Sequence, residues 1–203
     1  MNQPDNSVDP TAALGDNAKS AMTHRVALMS AIAVAALVVA LDQITKAWAV
    51  QRLDLGSCVG TDGCVEVFWK LRFHLTLNPG ASFSSFSGGG QFLGLLAVGM
   101  SILLFVLAYR TPDKWLPWLF GLIAGGALGN LADRAFRAET GLLTGKVIDF
   151  IDFQFWPIFN IADMAVVGGV IVLAIRLYSN DNRAGSLDTD EPIPKSSVDA
   201  EDD

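Results

Sequence analysis

FNIADMAVVGGVIVLAI, residues 159–175, reads as a membrane-spanning helix with a carboxylate near its start. Extended back to residue 155, the run has twenty-one residues and one charge, Asp163. About 20 helical residues cross the hydrocarbon core of a bilayer. A carboxylate within such a span costs about 2.5–3.5 kcal/mol on insertion scales. Asp163 has no basic residue one helical turn away, since Phe159, Asn160, Val166 and Val167 occupy those positions. It must be neutral, paired from another segment, or functional.

Three further apolar runs accompany it. Residues 26–41 carry no charge and continue as helix to about residue 50, and residues 92–109 and 115–132 are eighteen uncharged residues each. The expected architecture is therefore a membrane α-helical protein with four transmembrane helices. A cleaved signal peptide is a rival reading of the first run, given Lys19, His24 and Arg25 before it and Ala47-Trp48-Ala49 after it. Asp42 and Lys46 interrupt that pattern, and Arg52 and Asp54 separate the lipoprotein-box-like Leu55-Gly56-Ser57-Cys58 from the apolar run.

Composition agrees. The chain is 51% hydrophobic and 17% charged over 203 residues, against about 25% charged in ordinary soluble domains. The net charge of −7 is concentrated at the ends: residues 179–203 hold eight acidic and two basic residues. No basic field is available for nucleic acid, and no metal or cofactor motif is present. The expected division is a disordered N-terminal tail (1–24), a membrane domain (25–178) and a disordered acidic tail (179–203). Cys58 and Cys64, separated by five residues, could form a local disulfide.

Between the first two helices, at about 52–91, Val65, Val67, Trp69, Leu71, Phe73, Leu75 and Leu77 alternate with more polar residues. Period two predicts strand. Thirteen residues is long for one strand, so a bend or bulge is expected. His74, on the polar side, reads as solvated. The loop at 110–114 is short enough to make its flanking helices antiparallel neighbours. The loop at 135–154 is rich in aromatic and aliphatic residues and is expected at the membrane interface.

Antiparallel order puts the end of helix one, the start of helix two, the end of helix three and the start of helix four on one side. The unusual polar residues gather at those four places: Asp42 and Lys46; Asn78; Asn130, Asp133 and Arg134; Asp149, Asp152, Asn160 and Asp163. Such clustering predicts one polar site near one leaflet. Gly125, Gly126 and Gly129 predict close helix packing. No serine, cysteine or metal-hydrolase motif is present. Two carboxylates sharing one proton suffice for peptide hydrolysis, one activating water and the other polarising the carbonyl. Spacing leaves Asp133, Asp149 and Asp152 all open as partners of Asp163.

Five motifs in order resemble the lipoprotein signal peptidase (signal peptidase II) family: DQITK at 42–46, NPGASF at 78–83, GGALGNLADR at 125–134, VIDF at 147–150 and FNIAD at 159–163. The resemblance spans about residues 25–178. It implies an aspartic endopeptidase of the bacterial cytoplasmic membrane, with four helices and a small extracytoplasmic β-sheet. It implies a catalytic pair Asp149 and Asp163, a substrate site lined by Asn78, Asn130, Arg134 and Asn160, and support from Asp42, Lys46 and Asp133. The loop before Asp149 is longer than the family leads one to expect, and Asp152 remains a rival to it. Substrates would be diacylglyceryl-modified prolipoproteins cut just before the lipidated cysteine, with membrane lipid the other partner, no cofactor and a monomeric enzyme. Both termini would be cytoplasmic; the basic residues divide almost evenly, with only Arg110 and Lys114 leaning that way. A proton-coupled transporter, another type of membrane aspartyl protease and a non-catalytic lipoprotein-binding factor are the competing classes.

Overall fold

The computed structural model describes residues 10–55, 64–80, 89–138 and 141–187, with the side chains of 10–20 and 180–187 left aside. Four long helices and three strands follow the order α1 (Pro10–Arg52), β1 (Cys64–Phe68), β2 (Leu71–Asn78), α2 (Gly89–Arg110), α3 (Leu116–Phe136), β3 (Val147–Asp152) and α4 (Ile161–Leu187). Three stretches are long and apolar enough to cross a membrane: Ala21–Arg52, Gly89–Arg110 and Ile161–Ser179. Their outer faces carry large apolar side chains into the surroundings, among them Met29, Leu95 and Ile175, each more than 60% exposed. That inverts the usual distribution of a soluble protein and fits lipid as the solvent.

Helix α3 lies among the other three and packs on each of them. Its glycines set the distances. A Cβ on Gly121 would strike the Ala31 carbonyl of α1, and one on Gly126 the Ala162 carbonyl of α4. On Gly125 it would sit 2.8 Å from Ala35 Cα, and on Gly129 2.7 Å from Asp42 Oδ2. Small residues let membrane helices approach this closely, where dispersion contacts must replace a hydrophobic driving force. The start of α3 is fixed by Asp113, whose Oδ1 accepts the Trp115 and Leu116 N–H groups at 2.6 and 3.0 Å. Its Oδ2 binds Arg176 of α4 at 2.9 Å.

Two helix limits differ from the expected tails. Residues 10–24 are helical from Pro10 onward, and α4 continues to Leu187. Extending an existing helix adds one hydrogen bond per residue without a new nucleus, and proline is well suited to the first helical position.

The alternating stretch is a hairpin rather than one bent strand. Strands β1 and β2 are antiparallel with Phe68 opposite Leu71, and a register shift lies between Glu66 and Phe68. Trp69 takes the left-handed conformation at the turn, φ 52°. No Gly, Asn or Asp marks the reversal, so the polar–apolar alternation runs through it unbroken. The third strand was not foreseen. Val147–Asp152 pairs with β2 in the order β1-β2-β3, and all six of its residues are buried. Cys64 is disulfide-bonded; Cys58, the chain's other cysteine, lies outside the described residues.

A core of Ala49, Leu53, Leu75, Ile148 and Phe150 joins the end of α1 to the sheet. Trp48 packs edge-on against Phe73 and Phe150, with centroids 5.2 and 6.2 Å away. Edge-to-face aromatic pairs add about 0.5–1.5 kcal/mol beyond their buried area.

Gly126→Ala is expected to lower helix-packing stability by about 1–3 kcal/mol. Gly99→Ala in α2, where an added Cβ meets nothing within 4 Å, is expected to be neutral or slightly stabilising. Thermal unfolding of both variants in detergent checks the contrast.

Candidate active site

The start of α4 explains where Asp163 sits. Asn160 is the residue before the helix, and its Oδ1 accepts the Asp163 N–H at 2.9 Å. The Asp163 carboxylate returns the bond, accepting the Asn160 N–H at 3.2 Å through Oδ2. This reciprocal pair is a capping box built from Asn and Asp. A third capping contact comes from α1: Asp42 Oδ1 accepts the Ala162 N–H at 3.0 Å. The carboxylate that looked misplaced within an apolar run therefore lies in the first turn, where helix N–H groups need acceptors.

Asp149 reaches the same place from the sheet. Phe159 returns along β3: the Ile151 N–H donates to its carbonyl at 2.9 Å, and its own N–H donates to the Ile151 carbonyl at 3.1 Å. Asn160, next along the chain, then lies beside Asp149 and donates to its Oδ1 at 2.7 Å. Asn78, at the end of β2, donates to Asp149 Oδ2 at 3.0 Å. Asn130 in α3 donates to Asp163 Oδ1 at 2.8 Å and accepts from Asn160 at 3.0 Å.

Asn78, Asn130, Asp149 and Asp163 line one cleft of about 390 Å³, together with Arg134, Gly80, Leu93 and Ala97. Asn160, expected among the lining residues, is fully buried and does not line it. Burial pushes the Asp149 carboxyl up, to about 6; the hydrogen bond from Asn78 opposes this, and the charge of Asp163 adds to it. Arg134 is buried, and its Nη1 has no hydrogen-bond partner among the described residues.

Behind the cleft lies a buried ionic cluster. Lys46 Nζ sits 2.8 Å from Asp42 Oδ2, 2.8 Å from Asp133 Oδ2 and 3.0 Å from Asn130 Oδ1. All three charged side chains are fully buried. Asp133 also accepts the Ile148 N–H at 3.1 Å, which holds β3 against α3, and pairs with Arg137 at 3.0 Å.

Of the three possible partners for Asp163, the cleft contains Asp149 alone. Asp133 spends both oxygens on Lys46, Ile148, Arg137 and Gln43. Asp152 is three residues from Asp149, and odd spacing along a strand sends side chains to opposite faces. It binds Arg72 at 2.7 Å. Burial raises its carboxyl, but the Gln154 N–H and Arg72 outweigh this and hold it below the usual carboxylate range. His74, read as solvated, is only 15% exposed and lies 3.6 Å from the same carboxylate.

Gln43 was missed. Its amide donates to Asp42, the Gly129 carbonyl and Asp133 at 3.1, 3.2 and 3.3 Å. The available signal was its place inside the DQITK motif. Among the described residues, no group of three His, Cys, Asp or Glu side chains is placed to hold a metal.

Two solved structures that this arrangement is similar to are of bacterial membrane enzymes. One covers 84% of this chain and 94% of its own, at TM-score 0.62 and 28% identity. Another covers 72% and 91%, at TM-score 0.61 and 31% identity. Proteins named lipoprotein signal peptidase are similar in sequence: that of Mycobacterium tuberculosis (strain ATCC 25618 / H37Rv) is 42% identical over 144 residues, 71% of this chain and 68% of its own length. That of Mycolicibacterium smegmatis (strain ATCC 700084 / mc(2)155) is 40% identical over 172 residues, 84% of this chain and 70% of its own. The family model described as signal peptidase (SPase) II matches residues 34–179. The chain belongs to the signal peptidase II family and is a membrane peptidase.

Lys46→Met strands two buried carboxylates. A broken buried pair costs about 3–5 kcal/mol, so the variant is expected to lose most of its thermal stability in detergent. Adding Asp42→Asn and Asp133→Asn is expected to restore part of the unfolding midpoint.

Proposed function

We propose that this chain removes signal peptides from diacylglyceryl-modified prolipoproteins by cutting just before the lipidated cysteine, with Asp149 and Asp163 as an aspartic dyad. The observation that carries the reading is their convergence. One carboxylate comes from a buried strand and one from the first turn of a membrane helix. Both open on a single cleft, and each is held by asparagine side chains. The names of the relatives support the substrate class.

In this reading a water lies between the two carboxylates. Asp149, which keeps its proton to about pH 6, donates a hydrogen bond to the scissile carbonyl. Asp163, by elimination the base, accepts a proton as the water oxygen attacks the carbonyl carbon. That proton passes to the leaving nitrogen as the C–N bond breaks. The unpartnered Arg134 Nη1 offers a donor to a peptide oxygen in the same cleft. Asn78 and Asn160 hold Asp149, and Asn130 holds Asp163. Their side-chain oxygens are oriented in turn: Asn78 Oδ1 accepts the Gly80 N–H, Asn130 Oδ1 accepts from Lys46, and Asn160 Oδ1 accepts the Asp163 N–H.

The placement also gives Asp163 its reason to be at the membrane. A cysteine carrying a diacylglyceryl group stays at the bilayer surface, so its peptide bond has to be met there. The reading includes four crossings, both termini in the cytoplasm, and the cleft near the extracytoplasmic face. The common side of these ends is supported by the meeting of the α1 and α3 ends with the α4 start at Lys46, Asp42 and Ala162; the choice of face follows the family resemblance.

Asp149→Asn and Asp163→Asn are each expected to fold and to cut a diacylglyceryl-modified prolipoprotein at least about 100-fold more slowly. Asp152→Asn is expected to retain cleavage. A gel-shift assay with purified protein measures all three, and near-normal turnover by a folded Asp163→Asn variant would overturn the dyad. The pH dependence has a definite sign. A carboxyl that must carry its proton loses it as pH rises through about 6, so kcat/KM is expected to fall on the alkaline side of that value.

A further inference from the structure

The sheet has a second cleft on its other side. Ile148 lines this one, whereas Asp149, the next residue of β3, lines the first. The strand is the wall between them. The second cleft holds about 570 Å³, within the roughly 300–1,000 Å³ of small-ligand sites. Its floor is apolar: Val50 and Leu53 from the end of α1, Leu75 and Leu77 from β2, and Ile148.

The charged lining is Arg137, Lys146 and Asp54, net positive by one. Arg137 is 39% exposed, and Lys146 is exposed. Val50 and Leu53 lie at the end of α1 where the membrane-length stretch Ala21–Arg52 closes. An apolar floor at that end of the bundle, rimmed by two cations, is complementary to an amphiphile with a negative head.

We propose that this second cleft binds a membrane phospholipid with an anionic headgroup. Its acyl part lies on Leu53, Leu75 and Ile148, and its phosphate lies between Arg137 and Lys146. A Lys or Arg near an anionic lipid surface contributes about 1 kcal/mol, about fivefold in affinity. The inference goes beyond the peptidase reading and does not depend on the dyad. It does place the lipid close to it. Arg137 binds Asp133, Asp133 binds Lys46, Lys46 binds Asn130, and Asn130 binds Asp163.

The test is titration of the delipidated full-length protein in detergent with dioleoylphosphatidylglycerol and dioleoylphosphatidylcholine, read by native mass spectrometry. One phosphatidylglycerol is expected to bind, at least about fivefold more tightly than phosphatidylcholine. Lys146→Gln is expected to weaken it about fivefold, and Lys146→Gln with Arg137→Gln about 25-fold. Lys146→Gln is expected to keep the wild-type unfolding midpoint, and a single cooperative unfolding transition would show the double variant, which gives up the Arg137–Asp133 pair, to be folded. Asp163→Asn is expected to bind the lipid as the wild type does. Equal affinity for the two lipids, or undiminished binding by the folded double variant, would overturn the proposal. So would loss of binding in Asp163→Asn, which would put the lipid in the catalytic cleft. Occupation by a peptide from the mature part of a lipoprotein, displacing phosphatidylglycerol, would overturn it in favour of a protein partner.

Discussion

The buried ammonium of Lys46 holds the site together. Two carboxylates and an amide oxygen lie within 3.0 Å of it, and each of those groups makes a second bond to a different element. Asp42 caps α4, Asp133 takes the N–H of β3 next to Asp149, and Asn130 reaches Asp163. One charge from α1 thereby orients two helix ends and a strand. Taking an ion out of water costs several kcal/mol, and only good geometry with further hydrogen bonds repays it. Here every oxygen of the two partner carboxylates has a donor: of the two that Lys46 does not reach, Asp42 Oδ1 takes the Ala162 N–H, and Asp133 Oδ1 takes Gln43 and Arg137.

Close packing makes this network possible. Asp42 fits beside α3 because Gly129 has no side chain there, and the α4 backbone reaches α3 because Gly126 has none. Substituted glycines would push apart the helices whose polar ends have to meet. The packing and the chemistry therefore share one cause, the small-residue face of α3. It also accounts for the mixed character of that helix, apolar at its start and crowded with Asn130, Asp133 and Arg134 at its end.

The sheet does a different job. Side-chain alternation along β3 puts Asp149 into the cleft with Asn130 and Asp163, and Ile148 into the core against Ala49 and Leu53 at the end of α1. The same alternation sends Asp152 to Arg72 and His74. Two aspartates three residues apart thus have opposite surroundings. One is buried with its proton affinity raised, and the other is ion-paired with its proton affinity lowered.

Much of this was legible in the chain. Long apolar runs, a short loop between α2 and α3, and polar residues confined to four helix ends established a membrane helix bundle with a one-sided polar site. Those features are local, fixed by hydropathy and by the length of a bilayer crossing. The glycines of α3 declared close packing for the same reason. The third strand did not show itself, because six buried residues between loops lack the alternation that marks a half-exposed strand. The hairpin turn at Trp69 was hidden because no turn residue interrupts the pattern. The choice among Asp133, Asp149 and Asp152 also lay beyond local pattern. It depends on which face of a paired strand each side chain takes and on which carboxylates are already occupied by donors from distant segments. Those are properties of register and contact, and they exist only once the chain has folded.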